Sequence, residues 1–210
     1  MSGDPSLIRV LVVDDHQLIR VGVATLLSAE SDMKLVGEAS TGREAIAKFR
    51  ECHPDITLMD LQMPEMNGFD ATIAIRGEFP AARIIVLTTY AGDVQALRAI
   101  KAGAQGYLLK NLLYKELLQS IRSVHAGRKA MAAEIAAQVA EHIGEEGLTP
   151  KEIEVLRLIA AGIANKEIAA QLSTPAETIK SRVKSILDKL GANDRTHAVT
   201  IGIKRGIIEL

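Results

Sequence analysis

Tryptophan is absent from this 210-residue chain, and there are only three tyrosines and three phenylalanines. Ala, Val, Ile and Leu must therefore fill any core. There is one cysteine, Cys52. That excludes an intrachain disulfide framework and a cysteine-rich zinc site. No apolar run approaches the roughly 20 residues of a membrane span. The start, Met1-Ser2-Gly3-Asp4-Pro5, lacks a basic segment followed by an apolar one, so a cytoplasmic protein with no membrane insertion is expected. Net charge is -1, which argues against a generally basic coat but leaves room for a local basic helix. Hydrophobic residues make up 48% of the chain, enough for a packed interior and too much for wholesale disorder.

The first part of the chain alternates two hydrophobic periods. Ile8–Val13, Lys34–Ala39, Ile56–Met59, Arg83–Leu87 and Gly106–Leu109 are short, continuous apolar runs. Segments with helical spacing follow them: Gln17–Ser28, Arg43–Cys52 and stretches near 67–77, 92–102 and 112–126. Five strands alternating with five helices predict an α/β fold, a doubly wound (βα)5 parallel sheet with strand order 2-1-3-4-5. Strands covered on both faces read as unbroken apolar runs, as these do.

After Gly127 the pattern becomes helical. An Ala-rich helix is expected near 131–143, followed by a linker at Gly144-Glu145-Glu146-Gly147. Four helices then fall near 149–161, 165–172, 175–190 and 194–206. Thr149-Pro150-Lys151-Glu152 and Thr174-Pro175-Ala176-Glu177 both read as capping boxes with proline at the first helical position. Gly162 and Gly191 read as helix stops. The domains expected are 1–126, a linker at 127–147 that includes the helix, and 148–210.

Ligands of an open parallel sheet bind beyond the carboxyl ends of its strands. Those ends carry Asp14 and Asp15, then Asp60, then Thr88-Thr89, then Lys110. Three carboxylates gathered there are costly unless a cation joins them. A hard ion such as Mg2+ takes oxygen ligands, so Asp14, Asp15, Asp60 and the backbone carbonyl of Gln62 form the expected metal set. His16 is set aside, because oxygen serves a hard ion better. Asp60 beside a cation can act as a nucleophile and carry an acyl phosphate. Lys110 offers a charge, and Thr88 a hydroxyl, to phosphoryl oxygens. Pro64 and Gly68 shape the loop after Asp60. A phosphotransferase or phosphatase would share this chemistry, though no separate substrate-binding segment is apparent.

Val-Val-Asp14-Asp15-His, Met59-Asp60-x-x-Met-Pro-x-Met-x-Gly68, Leu-Thr88 and Gly106-Tyr107-Leu-Leu-Lys110 resemble a response-regulator receiver domain over about 7–126. The resemblance implies that Asp60 accepts phosphate from a sensor histidine kinase. It also implies that Asp15 binds Mg2+ directly, that Asp14 binds it through water, and that Tyr107 is a switch aromatic working with Thr88.

In the helix near 175–190, Ile179, Val183, Ile186, Leu187 and Leu190 share one side and should face a core. Glu177, Thr178, Ser181, Lys184 and Ser185 lie opposite, flanked by Lys180 and Arg182. With the short helix before it, the spacing is that of a helix–turn–helix, whose second helix enters the major groove. Leu148-Thr-Pro-Lys-Glu152-x-Glu154-Val-Leu, Ala-Ala-Gly162-x-Ala-Asn165-Lys166-Glu167-Ile-Ala, Glu177-Thr178-Ile-Lys180-Ser-Arg-Val and Lys189-Leu-Gly191-Ala resemble the LuxR type over about 146–208. The whole chain thus resembles a NarL/FixJ-family transcriptional response regulator, which is not an enzyme acting on a separate substrate. That family implies a homodimer on activation and a pseudo-palindromic DNA operator. Lys180, Ser181 and Lys184 would face the groove, Lys166 and Thr178 would meet phosphates, and Arg182 would lie beside them. Lys151, Ala164 and Arg182 stand where the family usually has Arg, Ser and His.

Overall fold

The structure is a computed structural model that describes residues 7–89, 92–142 and 146–208. Two compact units are present, one built on a sheet and one on the C-terminal helices.

The sheet unit runs β1 (Ile8–Val13), α1 (Gln17–Ser28), β2 (Met33–Ala39), α2 (Gly42–Cys52), β3 (Ile56–Asp60), α3 (Gly68–Glu78), β4 (Ile84–Thr88), α4 (Asp93–Lys101), β5 (Gly106–Leu109), a 3-10 turn (Lys110–Leu112) and α5 (Leu113–His125). All of its pairings are parallel. The strand order is β2-β1-β3-β4-β5-β6, so the expected 2-1-3-4-5 is present with one strand added. That strand, β6 (Ala130–Met131), falls where a linker was expected, and it pairs with Gly106 and Tyr107 of β5. Two residues are too few to display a strand period, so nothing local announced it.

The alternation of β1 explains the layers. Val10 and Val12 join Ile56, Leu58, Ile85 and Leu87 of the sheet beneath α1 and α5. Leu11 and Val13 join Met59 and Ile84 on the other face, beneath Ala45 and Phe49 of α2 and Ala71 and Ile75 of α3. The inner strands β3 and β4 are buried throughout, which is why they read as near-continuous apolar runs, whereas the edge strand β2 exposes Lys34 and Glu38.

The helix α6 (Ala133–Glu141) follows β6. It starts later than the expected 131–143, because Met131 belongs to β6. The expected linker, Gly144 to Gly147, begins outside the described residues, with positions 144 and 145.

The helical unit contains α7 (Pro150–Ala160), α8 (Asn165–Gln171), α9 (Ala176–Leu190) and α10 (Arg195–Lys204). Val155, Leu156, Ile159, Ile168, Ile179, Ile186, Ala198 and Ile208 form its core. The capping box at Thr149 is complete, with Pro150 opening the helix. The second expected box is not formed. Pro175 itself is the N-cap of α9, and the Thr174 hydroxyl donates instead to the Leu172 carbonyl at 2.9 Å. Ser173 turns with a left-handed φ of 47°, so Thr174 closes the interhelical turn rather than the helix. Glu167 does cap α8, accepting from the Ala164 N–H at 3.2 Å. Gly162 and Gly191 take positive φ values of 80° and 60°, as helix stops require.

Candidate functional site

Strand register assembles the pocket. Val13 is level with Met59 in the β1–β3 pair, so the next residues, Asp14 and Asp60, stand side by side. Asp60 is level with Leu87, and Thr88 with Leu109. Thr88 and Lys110 therefore follow in a staggered row at the same edge. Asp14, Asp60 and Lys110 come together there, and the register places Thr88 at the same sheet edge.

Asp14 and Asp60 are buried, 0% and 2% exposed. The Lys110 ammonium lies 2.8 Å from Oδ2 of each. Lys110 is thus the cation that the described residues give these two oxygens. Asp15 sits at the rim, and its Oδ1 is 2.6 Å from Nδ1 of His16. Ligand atoms of Asp14, Asp15, His16 and Asp60 all lie within 4.8 Å of one another. This is an acidic pocket able to hold a metal ion.

The charges do not simply cancel. Burial pushes the Asp60 carboxyl above the usual aspartate range; Lys110 pulls it down, and the charge on Asp14 pushes it further up. Burial also disfavours the Lys110 charge, but its contacts with Asp14 and Asp60 prevail and hold its pKa above the ordinary lysine value. A permanent cation is thereby held where negative charge would accumulate.

The loop after β3 is shaped as its prolines and glycines suggested. The Gln62 N–H approaches Oδ1 of Asp60 at 3.4 Å, Glu65 adopts a left-handed φ of 64°, and the Gly68 N–H donates to the Leu61 carbonyl at 3.0 Å. A Cβ at Gly68 would overlap the Asp60 carbonyl. Glycine there lets α3 start against the strand end that carries Asp60.

Tyr107 is turned inward, 1% exposed. Burial pushes its hydroxyl pKa far up, opposed by a hydrogen bond with the Thr88 side chain. The two residues expected to work together are in contact.

In the helical unit, Lys166, Lys180, Ser181 and Lys184 are exposed, and Thr178 and Arg182 are half-buried. Lys180 pairs with Glu177 one turn earlier at 3.1 Å. Lys166 and Lys184 make no ion pair among the described residues. Two neighbours behave otherwise. Ser185, grouped by periodicity with the polar face, turns inward and donates to Oε1 of Glu152 at 2.6 Å. Lys189, a basic residue in the last turn of α9, lies 3.1 Å from Oε2 of Glu152 and 3.3 Å from Glu146. Glu152 also accepts from the N–H and hydroxyl of Thr149 at 2.7 and 2.9 Å. Burial raises its pKa, but these partners outweigh burial and hold the carboxyl at about 2. Sequence reasoning found Glu152 as a capping residue. It missed the tie to α9, because residues 33 and 37 positions apart carry no local signal of contact.

Two family models match the chain: the response regulator receiver domain over residues 10–122, and the luxR family of bacterial regulatory proteins over residues 146–201. Response regulator protein VraR of Staphylococcus aureus is 37% identical over 207 residues, covering 96% of this chain and 99% of that protein. Among solved structures, a LuxR-family two-component response regulator from Aurantimonas sp. SI85-9A1 is 40% identical, with a TM-score of 0.63, over 66% of this chain and 99% of that one. RcsB from Salmonella enterica serovar Typhimurium, solved bound to promoter P1flhDC with the phosphomimetic BeF3-, is 26% identical with a TM-score of 0.70, over 94% of this chain and 98% of that one. Receiver and LuxR-type DNA-binding domain together define a two-component response regulator. The chain belongs to the LuxR-type branch of that family. Among the described residues no helix is long and apolar enough to cross a membrane.

Proposed function

We propose that Asp60 is the phosphoacceptor of this response regulator and that its phosphorylation by a sensor histidine kinase controls dimerisation and operator binding. The observation that carries this reading is the buried Asp14–Lys110–Asp60 arrangement, with Lys110 2.8 Å from both carboxylates. Residues 1–126 would be the receiver, 127–147 the connecting segment and 148–210 the DNA-binding domain.

Asp14, Asp15, Asp60 and the Gln62 carbonyl would hold Mg2+, which when bound offsets the charge of the carboxylates and of an approaching phosphoryl group. An Asp60 oxygen attacks phosphorus, the P–N bond of the kinase phosphohistidine breaks, and the imidazole nitrogen keeps the electron pair. Lys110 then turns from the carboxylates to a phosphoryl oxygen. Thr88 donates to another and gives up its bond to Tyr107, which frees the ring to repack. This is a local charge event read by a two-state element. A change from 1:99 to 99:1 in that element needs about 5.5 kcal/mol of differential stabilisation, which phosphate, dimerisation and DNA would share. The acyl phosphate forms and decays at Asp60, so the chain acts as a regulator rather than as an enzyme on a separate substrate, and in the cytoplasm, where DNA lies.

Lys180, Ser181 and Lys184 would face bases or backbone in the major groove. Lys166, Thr178 and Arg182 would contact the flanking phosphates. A pseudo-palindromic operator would match a symmetric dimer. RcsB has been solved as two dimers bound to two parallel DNAs, which supports that reading. The test measures oligomeric state and operator affinity with and without beryllofluoride, in the native chain and in Asp60→Asn. Phospho-control predicts a gain in both for the native chain alone. Equal values in all four samples would refute it.

A further inference from the structure

We infer that Glu177 reads a cytosine in the operator, its carboxylate accepting from the cytosine N4 amino group in the major groove. The inference rests on the reading that α9 is the recognition helix. Glu177 lies in the first turn of α9, and the N-terminal residues of a recognition helix are those that contact base edges. Ile179 and Ile186 are buried in the core of the helical unit, so the side of α9 opposite them faces outward. Glu177, Ser181 and Lys184 fall on that side at i, i+4 and i+7, and all three are exposed. Glu177 therefore shares a face with two of the residues proposed to enter the groove.

Charge decides what that carboxylate can meet. Phosphates repel it, so in a DNA interface it must find a donor. Guanine shows only the acceptors N7 and O6, and thymine an acceptor and a methyl group. Adenine sets its N7 acceptor beside the N6 donor, which suits an amide better than a carboxylate. Cytosine alone presents a donor with no acceptor of its own beside it. Lys180 makes the position tolerable. Its ammonium lies 3.1 Å from Oε2 of Glu177, which offsets negative charge near the DNA backbone. Both side chains of this pair are largely exposed, 64% for Lys180 and 82% for Glu177. Such a pair is weak, and the carboxylate is free to turn to a base. A carboxylate that served only the helix N-terminus would stabilise α9 through its dipole and would have no bearing on DNA sequence.

The test selects duplex DNA from a random-sequence pool with the full chain, treated with beryllofluoride, as the native protein, Glu177→Ala, Glu177→Gln and Lys180→Ala. The native chain should prefer cytosine at one position of each half-site by roughly fivefold or more. Glu177→Ala should lose that preference and keep those at the other positions. Glu177→Gln should move it to adenine, whose N6 and N7 match an amide. Lys180→Ala should keep the cytosine, which separates a base reader from a residue that only positions Lys180. A cytosine preference undiminished in Glu177→Ala, or lost at that position in Lys180→Ala, overturns the role of Glu177. If the native chain still enriches a symmetric sequence in that case, the reading of α9 as the recognition helix stands; if it enriches none, both fail.

Discussion

Lys110 Nζ stands 2.8 Å from Oδ2 of Asp60 and at the same distance from Oδ2 of Asp14. One cation thus serves two buried carboxylates, and the pocket carries a surplus of negative charge. That surplus has a stability consequence. The pKa of Asp60 is raised by burial, with Lys110 opposing. A carboxyl raised in the folded state favours folding while protonated, and that contribution is lost as pH rises through its folded pKa. Burial of the charged carboxylate therefore weakens the sheet unit as pH rises.

Asp60→Asn should accordingly unfold at a higher temperature than the native chain in metal-free buffer at pH 7. The difference should shrink as pH falls toward the ordinary aspartate value of about 3.9. Added Mg2+ should narrow it too, since a bound cation stabilises the native chain more than the variant. Differential scanning calorimetry across pH and metal reads all three effects.

Gly68→Ala should damage the site from behind. Its Cβ would overlap the backbone of Asp60, which cannot yield as a flexible side chain would. The expected cost is about 1–3 kcal/mol, typical of overpacking, read as a lower urea midpoint. The phosphorylated fraction seen after treatment with acetyl phosphate, on a phosphate-affinity gel, should fall with it.

Glu152 ties α7 to α9. Its carboxyl is held at about 2, against an ordinary value of 4.5. A depressed carboxyl contributes stability above the unfolded value, and this is lost as pH falls through the folded one. The helical unit should weaken as pH drops from about 4.5 to about 2. Glu152→Ala removes the cap and leaves Ser185 without its acceptor; a loss of about 2 kcal/mol is expected at pH 7. Chemical denaturation followed by circular dichroism checks both. A flat stability profile through the acid window would show that the tie contributes nothing.

Lys184 and Lys189 lie on the same helix with opposite expectations. Lys184 is exposed and without an ion pair among the described residues, whereas Lys189 is engaged by Glu152 and Glu146. Lys184→Ala should weaken operator binding and reduce the slope of log affinity against log salt by about 1. Lys189→Ala should leave that slope unchanged. Fluorescence anisotropy over a salt series separates them, and equal slopes in both variants would remove Lys184 from the contact surface.

The sheet was legible because its inner strands are buried on both faces and its turns fall at regular intervals. Asp14, Asp60, Thr88 and Lys110 could be placed at one sheet edge from the strand order alone. The second capping box failed for a local reason: Thr174 had a nearer carbonyl to satisfy, that of Leu172. β6 was invisible because its pairing comes from the open edge of β5, not from its own two residues. Helical periodicity assigned Ser185 to the polar side of α9 and could not see that Glu152 of α7 reaches both it and Lys189.

What the sequence determined by itself was the set of elements, the residues at the strand ends and the chemistry those residues can perform. Apolar period and helix-terminal residues act over a few positions and are written directly in the chain. What only the tertiary structure decided was the company each charged group keeps. Lys110 divides its charge between two carboxylates, Thr88 meets an inward Tyr107, His16 reaches the acidic rim, and Lys189 is drawn into an internal tie. Such contacts join residues far apart in the chain, and their strength depends on burial and on distances of a few ångströms. Both quantities exist only once the elements have packed.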